Sequence, residues 1–142
     1  MKPEDIDSLI DAAMTRFRLN GGGDLAIFHE QAAQELLSAY KGAKSLDYAH
    51  GIGRALMFLG RLLEIKGDYV GARFFYLRSR AIFAGLKSMF CIPAKDYLIG
   101  CPHGSWWANR LFEAKKSMVE KGQISAADLI HEHFQKYEHF AA

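Results

Sequence analysis

The sequence predicts an all-α fold of about six helices in three antiparallel hairpins, arranged as an array or a compact helical bundle. Two observations carry that reading. Apolar residues recur at three- and four-residue spacings along most of the chain, and glycine or proline next to a capping residue interrupts them at intervals that suit helix pairs. The 142 residues, half of them hydrophobic and 24% charged, match a single domain over 1–142 with one core, and their composition is far from that of disordered chains.

Helix one is expected over 3–18, with Ile6, Leu9, Ile10, Ala13 and Phe17 on one face and Pro3 in the first turn. Its acids Glu4, Asp5 and Asp7 come first and Arg16 and Arg18 last, the order that complements the helix dipole. Asn20-Gly21-Gly22-Gly23 ends it. Helix two is expected from an Asp24 cap to about Tyr40, along Leu25, Phe28, Ala32, Leu36 and Ala39, with Lys41-Gly42-Ala43-Lys44 as a break. Helix three should run from near Ser45 to Lys66 along Ile52, Ala55, Leu56, Leu59 and Leu63, its early turns weakened by Gly51 and Gly53.

Asp68 caps helix four, which is hydrophobic nearly all round from Ala72 to Phe83 and so packs on several sides. It must end before Pro93. The stretch 90–104 reads as a loop with one short helical turn at 94–98, because Pro93, Gly100, Pro102 and Gly104 bound it. Ser105 caps helix five, whose core side is read as Trp107, Leu111, Ala114 and Met118, and Gly122 ends it. Ser125, with Asp128 three residues on, starts helix six through Leu129, Ile130, Phe134 and Tyr137.

Charge is distributed unevenly. Residues 1–50 hold five Lys/Arg against eight Asp/Glu, a net of −3; residues 51–100 hold eight against three, +5; residues 101–142 hold five of each. The basic character sits in Arg54, Arg61, Arg73, Arg78 and Arg80, where an acidic peptide, a phosphate group or nucleic acid could bind, although a solvated basic face needs no partner at all. With only +2 overall, nucleic acid ranks behind protein or peptide. The acidic N-terminus and the shortness of every apolar run point to a cytoplasmic protein without a membrane partner. In that compartment Cys91 and Cys101 stay thiols, although an oxidising one would let them pair.

One turn recurs in writing: Gly23-Asp24-Leu25, Lys66-Gly67-Asp68-Tyr69 and Lys121-Gly122-Gln123-Ile124, with Ala72 and Ala127 each five residues after a glycine. In the central pair, Leu59-Gly60, Gly67, Tyr69, Ala72 and Tyr76 resemble the spaced pattern of a tetratricopeptide repeat over about residues 53–84. Leu56, Ser79 and Ala84 depart from it, and the outer hairpins match only at their turns. The resemblance implies a right-handed array that binds peptides or proteins, adaptor- or chaperone-like, in a groove lined by the first helix of each repeat. It implies Arg54, Met57, Arg61, Glu64 and Ile65 as groove residues.

Arg54 and Arg61 could clamp a carboxylate with their paired donors. A second contact is expected from Tyr97, His103, Trp106 and Arg110, with Trp106 exposed as an aromatic anchor while Trp107 buries. The alternative is a small helical metal protein or enzyme, since Asp47 with His50 and Asp128 with His131 each set a carboxylate and an imidazole on one helical face. Glu35 and Glu64 are the further carboxylates such a site would need. His131, His133 and His139 read as the wet side of the last helix, and Cys101-Pro102-His103 could lower the thiol pKa. No motif implies a cofactor or names a reaction, so binding is expected rather than catalysis.

Overall fold

The computed structural model describes residues 1–19, 26–125, 128 and 132. The fold is all-α. Six helices are present among the described residues: α1 (Pro3–Leu19), α2 (Ala26–Ser45), α3 (Ala49–Ile65), α4 (Tyr69–Gly85), α5 (Cys91–Gly100) and α6 (Trp106–Glu120). From α1 to α5 each helix packs on the next, α3 against α4 most extensively, and α6 lies back against α4. No described helix is long and apolar enough to cross a membrane.

Helix α1 follows its pattern, burying Ile6, Ile10, Ala13, Met14 and Phe17. The stop at Asn20–Gly23 and the Asp24 cap lie outside the described residues. Helix α2 does not break at Lys41–Lys44; it runs on to Ser45. The reason is tertiary. A Cβ at Gly42 would stand 3.0 Å from Met1 Sδ and 3.2 Å from Ile6 Cδ1, and Ala43 is fully buried. Close packing of α1 on this turn outweighs the roughly 1 kcal/mol that a glycine costs inside a helix.

The same device corrects the reading of α3. It begins at Ala49, after a turn at 46–48, and its glycines are contact surfaces. A Cβ at Gly53 would stand 2.8 Å from the Phe83 ring, and one at Gly60 2.7 Å from the Tyr76 ring. Phe83 and Tyr76 are both fully buried. Helix α4 starts as expected, with the Asp68 carboxylate accepting from Gly71 N at 3.1 Å.

The segment 90–104 is the largest departure. Most of it is a ten-residue helix, α5, where a loop with one turn was expected. Pro93 is its third residue, within the first turn, where backbone N–H groups have no partner in the helix and a missing one costs little. Helix α6 starts where expected, with Ser105 Oγ accepting from Ala108 N at 3.1 Å. Ser125 Oγ also accepts from Asp128 N at 3.0 Å, while the apolar positions expected for a last helix lie outside the described residues, as do His131, His133 and His139.

A helix-ending turn does recur, though not only at glycines. Tyr48 N donates to Ala43 O (2.8 Å), Asp68 N to Leu63 O (2.9 Å), Ser88 N to Phe83 O (2.9 Å) and Gln123 N to Met118 O (2.9 Å). The preceding residues are left-handed: Asp47 (φ 52°), Gly67 (84°), Lys87 (54°) and Gly122 (72°). In Asp47 and Lys87 the two capping hydrogen bonds outweigh the cost of a left-handed L-residue.

His29 is buried, with Nε2 3.0 Å from Leu62 O and its ring edge-on to Phe17. Burial holds its pKa below the usual 6.5, so the folded chain keeps it neutral. The unfolded chain therefore binds a proton that the folded chain excludes, and stability present above about pH 6.5 is lost as pH falls below it. The urea midpoint should drop between pH 7 and pH 5, and His29→Gln should flatten that dependence. Gly67 has nothing within 4 Å of an added Cβ, so Gly67→Ala should cost about 1 kcal/mol through backbone strain alone, whereas Lys87→Gly should gain roughly 0.5–1 kcal/mol. Both are read from denaturation midpoints.

Candidate functional site

Alternate helices α1, α3 and α5 enclose a cleft of about 230 Å3, lined by Met14, Phe17 and Arg18, by Phe58, Arg61 and Ile65, and by Tyr97. Its walls are mainly apolar, and among the described residues its only charged lining groups are the two arginines. Arg61 is held in place on two sides. Its Nη1 donates to Glu64 Oε2 at 3.0 Å, and its guanidinium lies 4.9 Å from the centre of the Tyr97 ring.

Behind Arg61 lies a polar cluster sunk into the core. Tyr76, fully buried, donates its hydroxyl to Glu64 Oε1 at 3.1 Å and stacks its ring on Tyr97, centroids 5.6 Å apart. Burial first, then the Glu64 charge, push the Tyr76 hydroxyl far above the ordinary phenol value, so it is a permanent donor. Burial alone would lower the Arg61 pKa, but Tyr76, Glu64 and Tyr97 outweigh it and hold the guanidinium above its usual value. Glu64 thus has both oxygens occupied, one by each neighbour.

Cys101 belongs to the same cluster. Its thiol is pushed up to about 12, by burial first and then by Glu64, and so stays protonated. His103 is exposed. The nearness of the two in sequence does not lower the Cys101 thiol pKa: burial beside a carboxylate favours the neutral thiol. Cys91 and Cys101 are both free. They stand at opposite ends of ten-residue α5, roughly 15 Å apart, beyond the reach of a disulfide.

Arg61, Glu64, Ile65 and Tyr97 therefore meet in one place; the other expected groove residues go elsewhere. Arg54 turns to α1, paired with Asp11 and 3.7 Å from Asp7, whose carboxylate also accepts the Tyr48 hydroxyl. Met57 is buried against Phe83 and Ala94. In their stead α1 contributes Met14, which the sequence did not single out, Phe17, read there as core, and Arg18, read there as a complement to the helix dipole. Arg18 carried a signal only in hindsight, as a cation beside an apolar stripe.

Helix α6 is rotated relative to expectation. Phe112 is buried against Val70 and Phe74 of α4, with Ala108 and Val119 half-buried beside it. Both tryptophans are exposed, Trp106 at 61% and Trp107 at 74%. The helix has two apolar stripes, and buried Arg73 selects between them: it donates to Asn109 Oδ1 at 3.1 Å, lies 3.8 Å from Glu113 and stacks 3.5 Å from the Phe112 ring centre. Trp106 and Arg110, the latter 5.2 Å from the Trp106 ring, therefore form a surface of their own. An open depression of about 660 Å3 beside it is lined by Trp107, Asn109, Arg110, Leu111, Glu113 and Ala114.

For the metal reading, Asp47 is exposed at its turn, and His50 sits edge-on to Phe83 and Phe90, centroids 5.4 and 5.1 Å away. Asp128 is exposed and His131 lies outside the described residues. Glu35 pairs with Arg16, and Glu64 with Arg61. Among the described residues no three His, Cys, Asp or Glu side chains come together to hold a metal ion.

No family model, curated protein or solved structure matches the chain.

The Tyr76 hydroxyl is the one donor that reaches Glu64 from α4. Tyr76→Phe should cost about 1–2 kcal/mol, since it leaves a half-buried carboxylate one hydrogen bond short without opening a cavity. Urea denaturation at neutral pH measures it.

Proposed function

We propose that the protein is a peptide- or protein-binding module, adaptor- or chaperone-like, whose α1–α3–α5 cleft takes one apolar side chain from an acidic segment of its partner. The observation that carries this reading is the cleft itself, mainly apolar in its walls and flanked by Arg18 and Arg61, with no carboxylate among the described residues that line it. At about 230 Å3 it is smaller than pockets that enclose drug-sized ligands, roughly 300–1,000 Å3, and suits one anchoring residue. The tetratricopeptide resemblance supports the same place, because alternate helices line the groove in that family and α3 opens the resembling hairpin.

Arg61 suits this task because Glu64 holds one edge and Tyr97 one face of the guanidinium, leaving its other donors already oriented. Fluorescence anisotropy tests the reading with labelled peptides that carry one phenylalanine between glutamates, or between lysines. The acidic peptide should bind more tightly, and Arg61→Ala should weaken it roughly tenfold, about 1.4 kcal/mol. Arg18→Ala should act in the same direction and more weakly, as an exposed charge does. Equal affinity for both peptides, or indifference to both arginine changes, would count decisively against the cleft.

A further inference from the structure

The outer face of α6 exposes both tryptophans of the chain. Trp107, Leu111, Ala114 and Met118, at spacings of four, three and four, form a stripe along the side turned away from α4, and Trp106 packs edge-on to Trp107, centroids 4.5 Å apart. Leu111 is 48% and Met118 38% exposed. Arg110 and Lys121, eleven residues apart and thus on one edge of this stripe, are both exposed and have no acidic partner among the described residues. The acids of α6 stand apart from the stripe: Glu113 turns toward Arg73, and Glu120 is two turns further along the same edge.

We propose that this face is a peripheral binding surface for an anionic lipid bilayer, with α6 lying in the plane of the headgroups. An apolar stripe that begins in tryptophan and is edged by cations is the composition of an interfacial helix. Lying in the plane requires no spanning segment, so the surface stands beside the sequence expectation of no membrane partner and revises it. Two other occupants fit less well. The exposed stripe amounts to on the order of 500 Å2, short of the ~800 Å2 per partner of a stable protein interface, whereas a membrane gains from each side chain inserted. A second copy would bring like charges together, because Arg110 and Lys121 edge one side of the stripe and Lys115, although paired with Glu132 at 3.1 Å, edges the other.

Trp106 and Trp107 are the only tryptophans of the chain, so intrinsic fluorescence reads this face alone. Full-length protein is mixed with phosphatidylcholine vesicles with or without phosphatidylserine, then sedimented. The expected result is co-sedimentation and a blue-shifted emission with phosphatidylserine present, both reduced by salt. Trp107→Ser with Leu111→Ser should cut co-sedimentation at least fivefold while circular dichroism shows an unchanged melt, since both side chains are exposed. Arg110→Glu with Lys121→Glu should abolish the preference for phosphatidylserine. Equal binding to both vesicle types overturns the anionic assignment. No binding overturns the proposal in favour of a protein partner with acidic flanks. A blue shift that rises with protein concentration without lipid overturns it in favour of a second copy, and an emission already blue-shifted in dilute free protein overturns it in favour of cover by residues 126–142.

Discussion

The close approach of α3 to α4 is the constraint on which the remaining architecture rests. Gly53 and Gly60 present bare backbone to the Phe83 and Tyr76 rings, each within 3 Å of where a Cβ would stand. At that separation the Tyr76 hydroxyl reaches Glu64, and Ser79 Oγ donates to Gly53 O at 2.8 Å. Larger side chains at either glycine would have to displace a fully buried ring, and packed interiors resist such shifts. The same contact supports the cleft, because Tyr76 holds one oxygen of Glu64 while the other accepts from Arg61.

A second coupling runs through Arg73. Its guanidinium is buried yet keeps three contacts on α6, two polar and one with the face of Phe112. An unpaired buried cation is expensive, so the positions of Asn109 and Glu113 are strongly selected. They rotate Phe112 inward, and the tryptophan stripe has no choice but to face out. One arginine on α4 therefore decides what α6 offers to its surroundings, without touching that surface.

Much of the fold could be read from local chemistry. The starts of α1, α4 and α6 were legible because Pro3, Asp68 and Ser105 act on backbone groups within three residues of themselves. The end of α2 was not, because Gly42 reads as a breaker until Ile6 is known to lie against it, nor was the start of α3, because the turn before it is made by left-handed Asp47 and not by a glycine. Helix α5 was missed for a related reason: Pro93 is disruptive inside a helix and harmless in its first turn, and a proline alone does not say which position it occupies. In the site, Arg61, Glu64 and Tyr97 were all named in advance, but Arg54 was placed in the groove when Asp7 and Asp11 of α1 claim it.

The order of residues was enough for the class of structure and the chemistry available to it: helices, caps and a basic middle. Helix periodicity and capping depend on neighbours three or four positions away, which a sequence displays directly. Only the tertiary structure decided which arginine faces a cleft, which of two apolar stripes on α6 is buried, and that the thiol of Cys101 is kept protonated. Each of those outcomes depends on a partner far along the chain, such as Asp11 for Arg54, Arg73 for Asn109 and Glu64 for Cys101, and spacing along the chain carries no trace of such pairs.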